Sequence, residues 1–254
     1  MPKKQVVNNL AIVNDSGNRY EIGIDEAGRG PLFGRLYVAA CVLPKELASG
    51  SAPRFHHEWM CDSKKIHSRK KMQELSQYIK THAVAWHIHY VEADVIDTIN
   101  IRQAVLMAMH ECAKQVLLQL SSRADSVDTA FDPATPYLRD YMLFVDGNDF
   151  TPHITFNEAT QTMEEIPFET IEGGDNKYSF IAAASILAKN ERDTYVEDLC
   201  NKYPLLNERY GLAKNMGYGT QIHRDGIQKW GITQWHRRTY GICKTAVVAK
   251  IHNV

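Results

Sequence analysis

Cysteine is scarce in this sequence, and its spacing suits no joint role. Cys41, Cys61, Cys112, Cys200 and Cys243 are odd in number, widely dispersed and contain no Cys-x-x-Cys pair. That argues against both a disulfide framework and a zinc site, and for reduced thiols. No apolar run approaches the roughly 20 residues that span a bilayer. The stretch "MPKKQVVNNLAIVNDSGN" has neither the apolar core nor the small-residue cleavage site of a secretion signal. The expected location is therefore intracellular, in the cytoplasm. An excess of positive charge is also missing: 29 Lys and Arg face 30 Asp and Glu, for a net charge of −1. No global positive field announces a nucleic-acid partner, so any such binding has to come from local patches. Internal repeats and low-complexity tracts are absent as well.

What is present is enough apolar material for a core. A chain of 254 residues with 44% hydrophobic composition can form one large domain or a domain with a small appendage. Residues 19–25 read as a strand ending at Asp25, and 36–43 ("LYVAACVL") as its hairpin partner, buried on both faces. Residues 67–82 have helical periodicity with a basic face, and 83–93 alternate as a third strand. Residues 94–122 read as a core helix, and 123–140, polar with two prolines, as a surface loop. Residues 141–147 form a short apolar strand that stops at Asp146-Gly147. The segment 168–175 repeats that design and ends in Gly173-Gly174-Asp175. A long helix rich in small residues follows at 178–203, and helical pieces around glycine turns fill the region from Tyr210 onward.

Three strands thus end in an acidic residue beside glycine: Asp25-Glu26, Asp146-Gly147 and Gly174-Asp175. In open α/β sheets such ends line the ligand crevice, so carboxylates distant in sequence can converge. A hard cation resolves their repulsion. Oxygen-only ligands suit Mg²⁺ or Mn²⁺ rather than zinc, and two such ions roughly 3.5–4 Å apart serve phosphodiester hydrolysis. Each Asp-Gly alone is ordinary turn chemistry. Gly28, Gly30 and Gly34 also approximate a dinucleotide-binding turn. That reading requires a helix after Gly34, where the sequence instead has a strand signature.

In order along the chain stand "GIDEAGRGPLFG" (23–34), "DSKKIHSRKK" (62–71), "DTINIRQAVLMAM" (97–109), "FVDGN" (144–148), "GGD" (173–175), "SFIAAASILAKNERD" (179–193), "GYGT" (217–220) and "HRRTYG" (236–241). With these motifs the chain resembles the type 2 ribonucleases H, the ribonuclease HII family. The resemblance implies a ribonuclease H-like α/β fold, a central mixed sheet flanked by helices with a C-terminal helical region. It divides the chain into an extension (1–18), a catalytic domain (19–209) and a helical region packed on it (210–254). It implies cleavage of the RNA strand of RNA–DNA hybrids, and 5′ of single ribonucleotides in duplex DNA, leaving 3′-hydroxyl and 5′-phosphate ends.

By the same resemblance Asp25, Glu26, Asp146 and Asp175 hold two Mg²⁺ or Mn²⁺ ions. Gly28, Arg29 and Gly30 sense the ribose 2′-hydroxyl largely through backbone groups, Lys64 and Lys65 lie near phosphate, and Tyr218 packs on the sugar following the ribonucleotide. The enzyme is expected to act as a monomer on nucleic acid, with no membrane partner. Two departures stand out: Asn215-Met216 replaces the His-Lys of many members, and the 147–174 connection is longer, predicting an extra hairpin whose Glu158, Glu164 and Glu165 are solvated. His87 and His89 share a strand face without a third ligand, and His57-Glu58 lacks a second histidine. Close packing accounts for Ser185, and packing is the better account of Trp230 and Trp235. His236, Arg237 and Arg238 read as a basic patch for the duplex backbone.

Overall fold

The computed structural model describes residues 10–14, 20–45, 55–124, 140–157 and 161–249. Most of the predicted 123–140 loop, residues 125–139, lies outside them, as do Glu158 and residues 1–9 and 15–18 of the predicted extension. Five strands form one sheet: β1 (Tyr20–Ala27), β2 (Leu36–Val42), β3 (Ala85–Val91), β4 (Tyr141–Asp146) and β7 (Phe168–Ile171), in the order β3-β2-β1-β4-β7. Strand β2 begins two residues after Gly34, so no helix opens there and the dinucleotide-turn reading falls. Strands β5 (His153–Asn157) and β6 (Thr162–Ile166) pair antiparallel as the predicted extra hairpin. Glu165 on it is exposed, whereas Glu164 is half-buried.

The chain divides into two compact units that interleave in sequence. One comprises residues 1–25, 38–89 and 109–188. In it β1 pairs parallel with β4 from Tyr20↔Tyr141 to Ile24↔Val145, and β4 pairs parallel with β7 from Leu143↔Phe168 to Asp146↔Ile171. Three strands therefore run to the same edge of the sheet. Helix α1 (Arg69–His82) starts at Ser68, whose side chain accepts from the Lys71 amide, and buries Met72, Leu75 and Ile79 at helical spacing. Helix α4 (Ser179–Lys202) begins in this unit with Ala182, Ala183 and Ala184 fully buried. It approaches β1 so closely that a Cβ on Gly23 would lie 2.5 Å from the Phe180 backbone, which is why this strand carries glycine at its middle. Residues 10–14 also join the unit. Ala11 bridges to Tyr178, with the Ala11 amide donating to the Lys177 carbonyl (2.8 Å) and the Ser179 amide donating to the Ala11 carbonyl (3.0 Å).

The other unit comprises 26–37, 90–108 and 189–254. The core helix expected at 94–122 is two helices, α2 (Ala93–Ile99) and α3 (Ile101–Ala124), the latter continuing into the first unit. Asn100 breaks them at φ 66°, and its side chain accepts from the Gln103 amide (3.1 Å) as the cap of α3. Helices α5 (Pro204–Tyr210), α6 (Leu212–Asn215) and α7 (Gln221–Trp230) complete the predicted helical pieces. Their core gathers Phe33, Val196, Leu206, Tyr210, Leu212, Ile227 and Ile232, with Trp235 packed against it. Among the described residues no helix is long and apolar enough to cross a membrane.

Candidate active site

The parallel register makes the carboxylate cluster. Because Ile24 pairs with Val145, the next residues of β1 and β4 are Asp25 and Asp146, and the chain leaving β7 turns back through Gly173 (φ 64°, ψ 36°) to bring Asp175 beside them. One oxygen from each of Asp25, Asp146 and Asp175 lies within 4.8 Å of the other two. Among the described residues this is the one cluster of His, Cys or carboxylate side chains with that geometry. The three sequence-predicted aspartates thus meet, although Asp146 and Asp175 lie far from Asp25 in sequence.

Local hydrogen bonds hold the cluster in place. Asp146 Oδ1 accepts from the backbone amides of Gly174 (2.7 Å) and Asp175 (3.4 Å). Asp175 Oδ1 accepts from Asn176 Nδ2 (2.9 Å), and the same amide group reaches Asp62 Oδ2 (3.3 Å). Lys65 donates its ammonium to Asn176 Oδ1, while Asp62 Oδ1 accepts the Lys64 amide (2.9 Å). The Ser-Lys-Lys turn and the Asp175 turn are therefore one hydrogen-bonded unit. The sequence points to Lys64 and Lys65 but not to Asp62, two residues before Lys64, or to Asn176, directly after Asp175.

The electrostatics suit a cation. Asp175 is 2% exposed. Burial, then Asp146 and then Asp62 push its carboxyl up to about 6, against the opposing pull of Lys64. Burial disfavours the Lys64 ammonium, yet Asp175, Asp62, Asp25 and Asp146 outweigh it and hold that pKa above its ordinary value. The ammonium stays 3.8 Å from Asp175 Oδ2 on a side chain that is 78% exposed. Asp175 Oδ2 itself is buried with no hydrogen-bond partner among the described residues. A buried carboxylate oxygen left without a donor normally costs stability, and a metal ion is the partner that fits an all-oxygen donor set here. Glu26 is not one of the clustered three. It follows Asp25 on a strand, where successive side chains point to opposite faces, and its carboxylate lies 3.7 Å from Arg29.

The turn after Asp25 belongs to the second unit and has its own construction. Gly28 is buried at φ 98°, where a Cβ would meet Arg192 Nε at 2.7 Å and the Arg35 carbonyl at 2.9 Å. Arg29 and Gly30 are exposed. Arg237, expected to touch a duplex from the surface, is 0% exposed. Its guanidinium donates instead to the carbonyls of Gly28 (2.6 Å), Arg29 (3.1 Å) and Gly34 (3.0 Å). His236 is buried too, so the basic-patch reading of 236–238 fails for two of its three members. Arg192, missed from sequence, is 1% exposed, donates to the Met216 carbonyl and lies 5.7 Å from the Tyr218 ring centroid. Tyr218 is 48% exposed. Asn215 accepts the Gly217 amide (2.8 Å) and donates to the Tyr210 carbonyl (2.7 Å).

The remaining residues behave as structure. His57 donates from Nε2 to the Pro44 carbonyl (3.0 Å) and accepts at Nδ1 from the Ser179 hydroxyl (2.9 Å). Ser185 bonds Ser63 (2.9 Å). His87 and His89 lie side by side, 6.5 Å between ring centroids, and among the described residues they join no metal-type cluster.

A parallel strand edge bearing clustered aspartates, one of them an orphaned acceptor, defines a metal-dependent hydrolase of the α/β class. Comparison with known proteins narrows this. The family model for ribonuclease HII matches residues 22–243. A ribonuclease HII of Parabacteroides distasonis is 37% identical over 222 residues, 87% of this chain and 90% of that protein. One from Bacteroides thetaiotaomicron is 36% identical with the same coverage. Among solved structures, the ribonuclease H2 of Pyrococcus horikoshii matches with a TM-score of 0.55 at 19% identity, covering 89% of this chain and 95% of that one. The ribonuclease HII of Archaeoglobus fulgidus, solved in complex with PCNA, matches with a TM-score of 0.56 at 22% identity, covering 87% and 95%. The chain belongs to the ribonuclease HII family, and its fold is the ribonuclease H-like mixed sheet flanked by helices.

Proposed function

We propose that this enzyme hydrolyses the RNA strand of RNA–DNA hybrids and cuts duplex DNA 5′ of a single embedded ribonucleotide, leaving 3′-hydroxyl and 5′-phosphate ends. The observation that carries the reading is the meeting of Asp25, Asp146 and Asp175 at one sheet edge with an unsatisfied buried oxygen among them. Asp25 and Asp146 are the central metal ligands, and Glu26 and Asp175 complete the sites. Two Mg²⁺ or Mn²⁺ ions, when bound, activate the attacking water and stabilise the leaving oxygen. The chain's own part is to fix these carboxylates in place, through the amides of Gly174 and Asp175 and the side chain of Asn176. Lys64 presents a mobile cation to phosphate.

The exposed Arg29-Gly30 backbone, with the Gly28 and Arg29 carbonyls tied back by Arg237, presents a stiff edge to the ribose 2′-hydroxyl, the group that separates RNA from DNA. Tyr218 offers its half-exposed ring to a sugar. The enzyme works as a monomer. The test is cleavage of a DNA duplex holding one ribonucleotide, with Mg²⁺ or Mn²⁺, by the wild type and by Asp146→Asn. Cleavage lost only in the variant is expected, and a wild type inactive under every divalent cation overturns the proposal.

A further inference from the structure

The buried histidines of the second unit have no part in metal chemistry, and their hydrogen bonds run in one direction only. The Thr233 amide donates to His236 Nδ1 (3.0 Å), and the Thr233 hydroxyl lies 2.8 Å from the same atom. An amide N–H cannot accept, so Nδ1 of His236 is the bare nitrogen and its ring proton sits on Nε2. That nitrogen lies 3.0 Å from Nε2 of His223. His223 must then accept there, which places its own proton on Nδ1, 3.0 Å from the Tyr218 carbonyl. The Tyr218 carbonyl takes a second donor, the Thr220 amide at 2.7 Å.

We infer that His223 and His236 are positioning residues for Tyr218, a pair locked in single tautomers that ties the tyrosine's backbone inward while its ring faces out. The inference rests on the proposal that Tyr218 contacts the substrate. Both imidazoles are buried, at 0% and 1% exposure. Tyr210 packs on both rings (centroids 6.0 and 5.0 Å), and Phe33 meets His236 edge-on (5.0 Å). Among the described residues Tyr210 is the one other titratable side chain stacked on the pair, while neighbouring Arg237 turns its guanidinium to the Gly28, Arg29 and Gly34 carbonyls. Burial holds both histidines neutral, and His223 lowers His236 further. Neutrality is what the chain of bonds needs, since a proton on His223 Nε2 would oppose the His236 N–H.

Nothing about half-exposed Tyr218 as a side chain requires such a strut. The buried pair links the Thr233 amide and hydroxyl to the Tyr218 carbonyl, and that carbonyl belongs to the residue whose ring is offered to solvent. Position of the ring is therefore the property the pair controls.

The test compares wild type, Tyr218→Ala, His223→Leu, His223→Asn and the Tyr218→Ala/His223→Leu double variant on the single-ribonucleotide duplex and on a long hybrid. Asparagine can still donate to the Tyr218 carbonyl, whereas leucine cannot. For His223→Leu a KM on the single-ribonucleotide duplex raised about tenfold, the size of one hydrogen bond, is expected with kcat little changed. His223→Asn should recover most of it, and the double variant should be no worse than Tyr218→Ala. Additive losses, or a His223→Leu defect confined to kcat on both substrates, overturn the inference. Nitrogen-15 shifts of the wild-type imidazoles supply an independent readout should the leucine variant not fold. Protons on His236 Nε2 and His223 Nδ1 are expected, and the opposite tautomers refute the strut. A silent Tyr218→Ala would refute the contact proposal instead, leaving the tautomers to report on the pair.

Discussion

Replacing Asp175 by asparagine should stabilise the metal-free protein while abolishing its activity. The carboxyl, ordinarily near 3.8, is held at about 6 by burial and by Asp146 and Asp62. Between these two values the native state binds more protons than the unfolded chain, so stability falls as pH rises. The contribution is fully present below about pH 4 and is lost as pH passes through 6. A gap of about two pKa units corresponds to at most about 3 kcal/mol. Because Asp146, one of the charges that raise the Asp175 pKa, is only half-buried, solvent screening reduces the working figure to about 1–2 kcal/mol. For a chain of this size that is a rise of roughly 3–6 °C in melting temperature at pH 7.5. The assay is thermal unfolding in a chelator from pH 4.5 to 7.5, on wild type and Asp175→Asn. The difference between them should narrow towards the acid end and open towards neutrality. Adding Mg²⁺ or Mn²⁺ should then stabilise the wild type by ligand linkage and the variant much less, with activity down by at least about 10²-fold. A variant less stable than the wild type at pH 7.5 without metal, or a difference that does not change with pH, would refute the reasoning.

Other perturbations separate the carboxylate cluster from the turn that follows it. Gly23→Ala places a Cβ 2.5 Å from the Phe180 backbone, and overpacking of this kind costs about 1–3 kcal/mol or more; urea unfolding should show it. Gly28→Ala puts a Cβ against Arg192 and the Arg35 carbonyl at φ 98°. It should depress cleavage at single ribonucleotides while the metal-induced shift in melting temperature persists, and loss of that shift would count against independence of the two. Arg237→Lys keeps the charge but gathers its donors on one nitrogen, losing the planar fork whose three nitrogens each reach a different carbonyl. Losing about two of those bonds should lower the unfolding free energy by roughly 3 kcal/mol, again read by urea unfolding.

How legible all this was depends on whether the governing rule is local. Asp25, Asp146 and Asp175 could be found because strand ends, glycine turns and apolar runs are written in consecutive residues, and parallel register does the rest. The hairpin in the 147–174 connection was legible for the same reason. The break at Asn100 was not, because apolar residues continue on both sides of it and only a single left-handed residue marks the join. Glu26 marks one limit: it follows Asp25 directly, yet lies outside the three aspartates whose oxygens come within 4.8 Å of one another. Arg237 shows a different limit. In a run of His-Arg-Arg every cation looks like a contact for phosphate. What buries this one is a demand that arises elsewhere in the chain, since a glycine turn with Gly28 and Gly34 at positive φ leaves carbonyls that no ladder satisfies. The residue that answers the demand sits some two hundred positions later, and only a folded chain can pair the two. Arginine at such a place is a substitute for secondary structure, and the stiffness it gives the turn is what the proposed discrimination by backbone atoms requires.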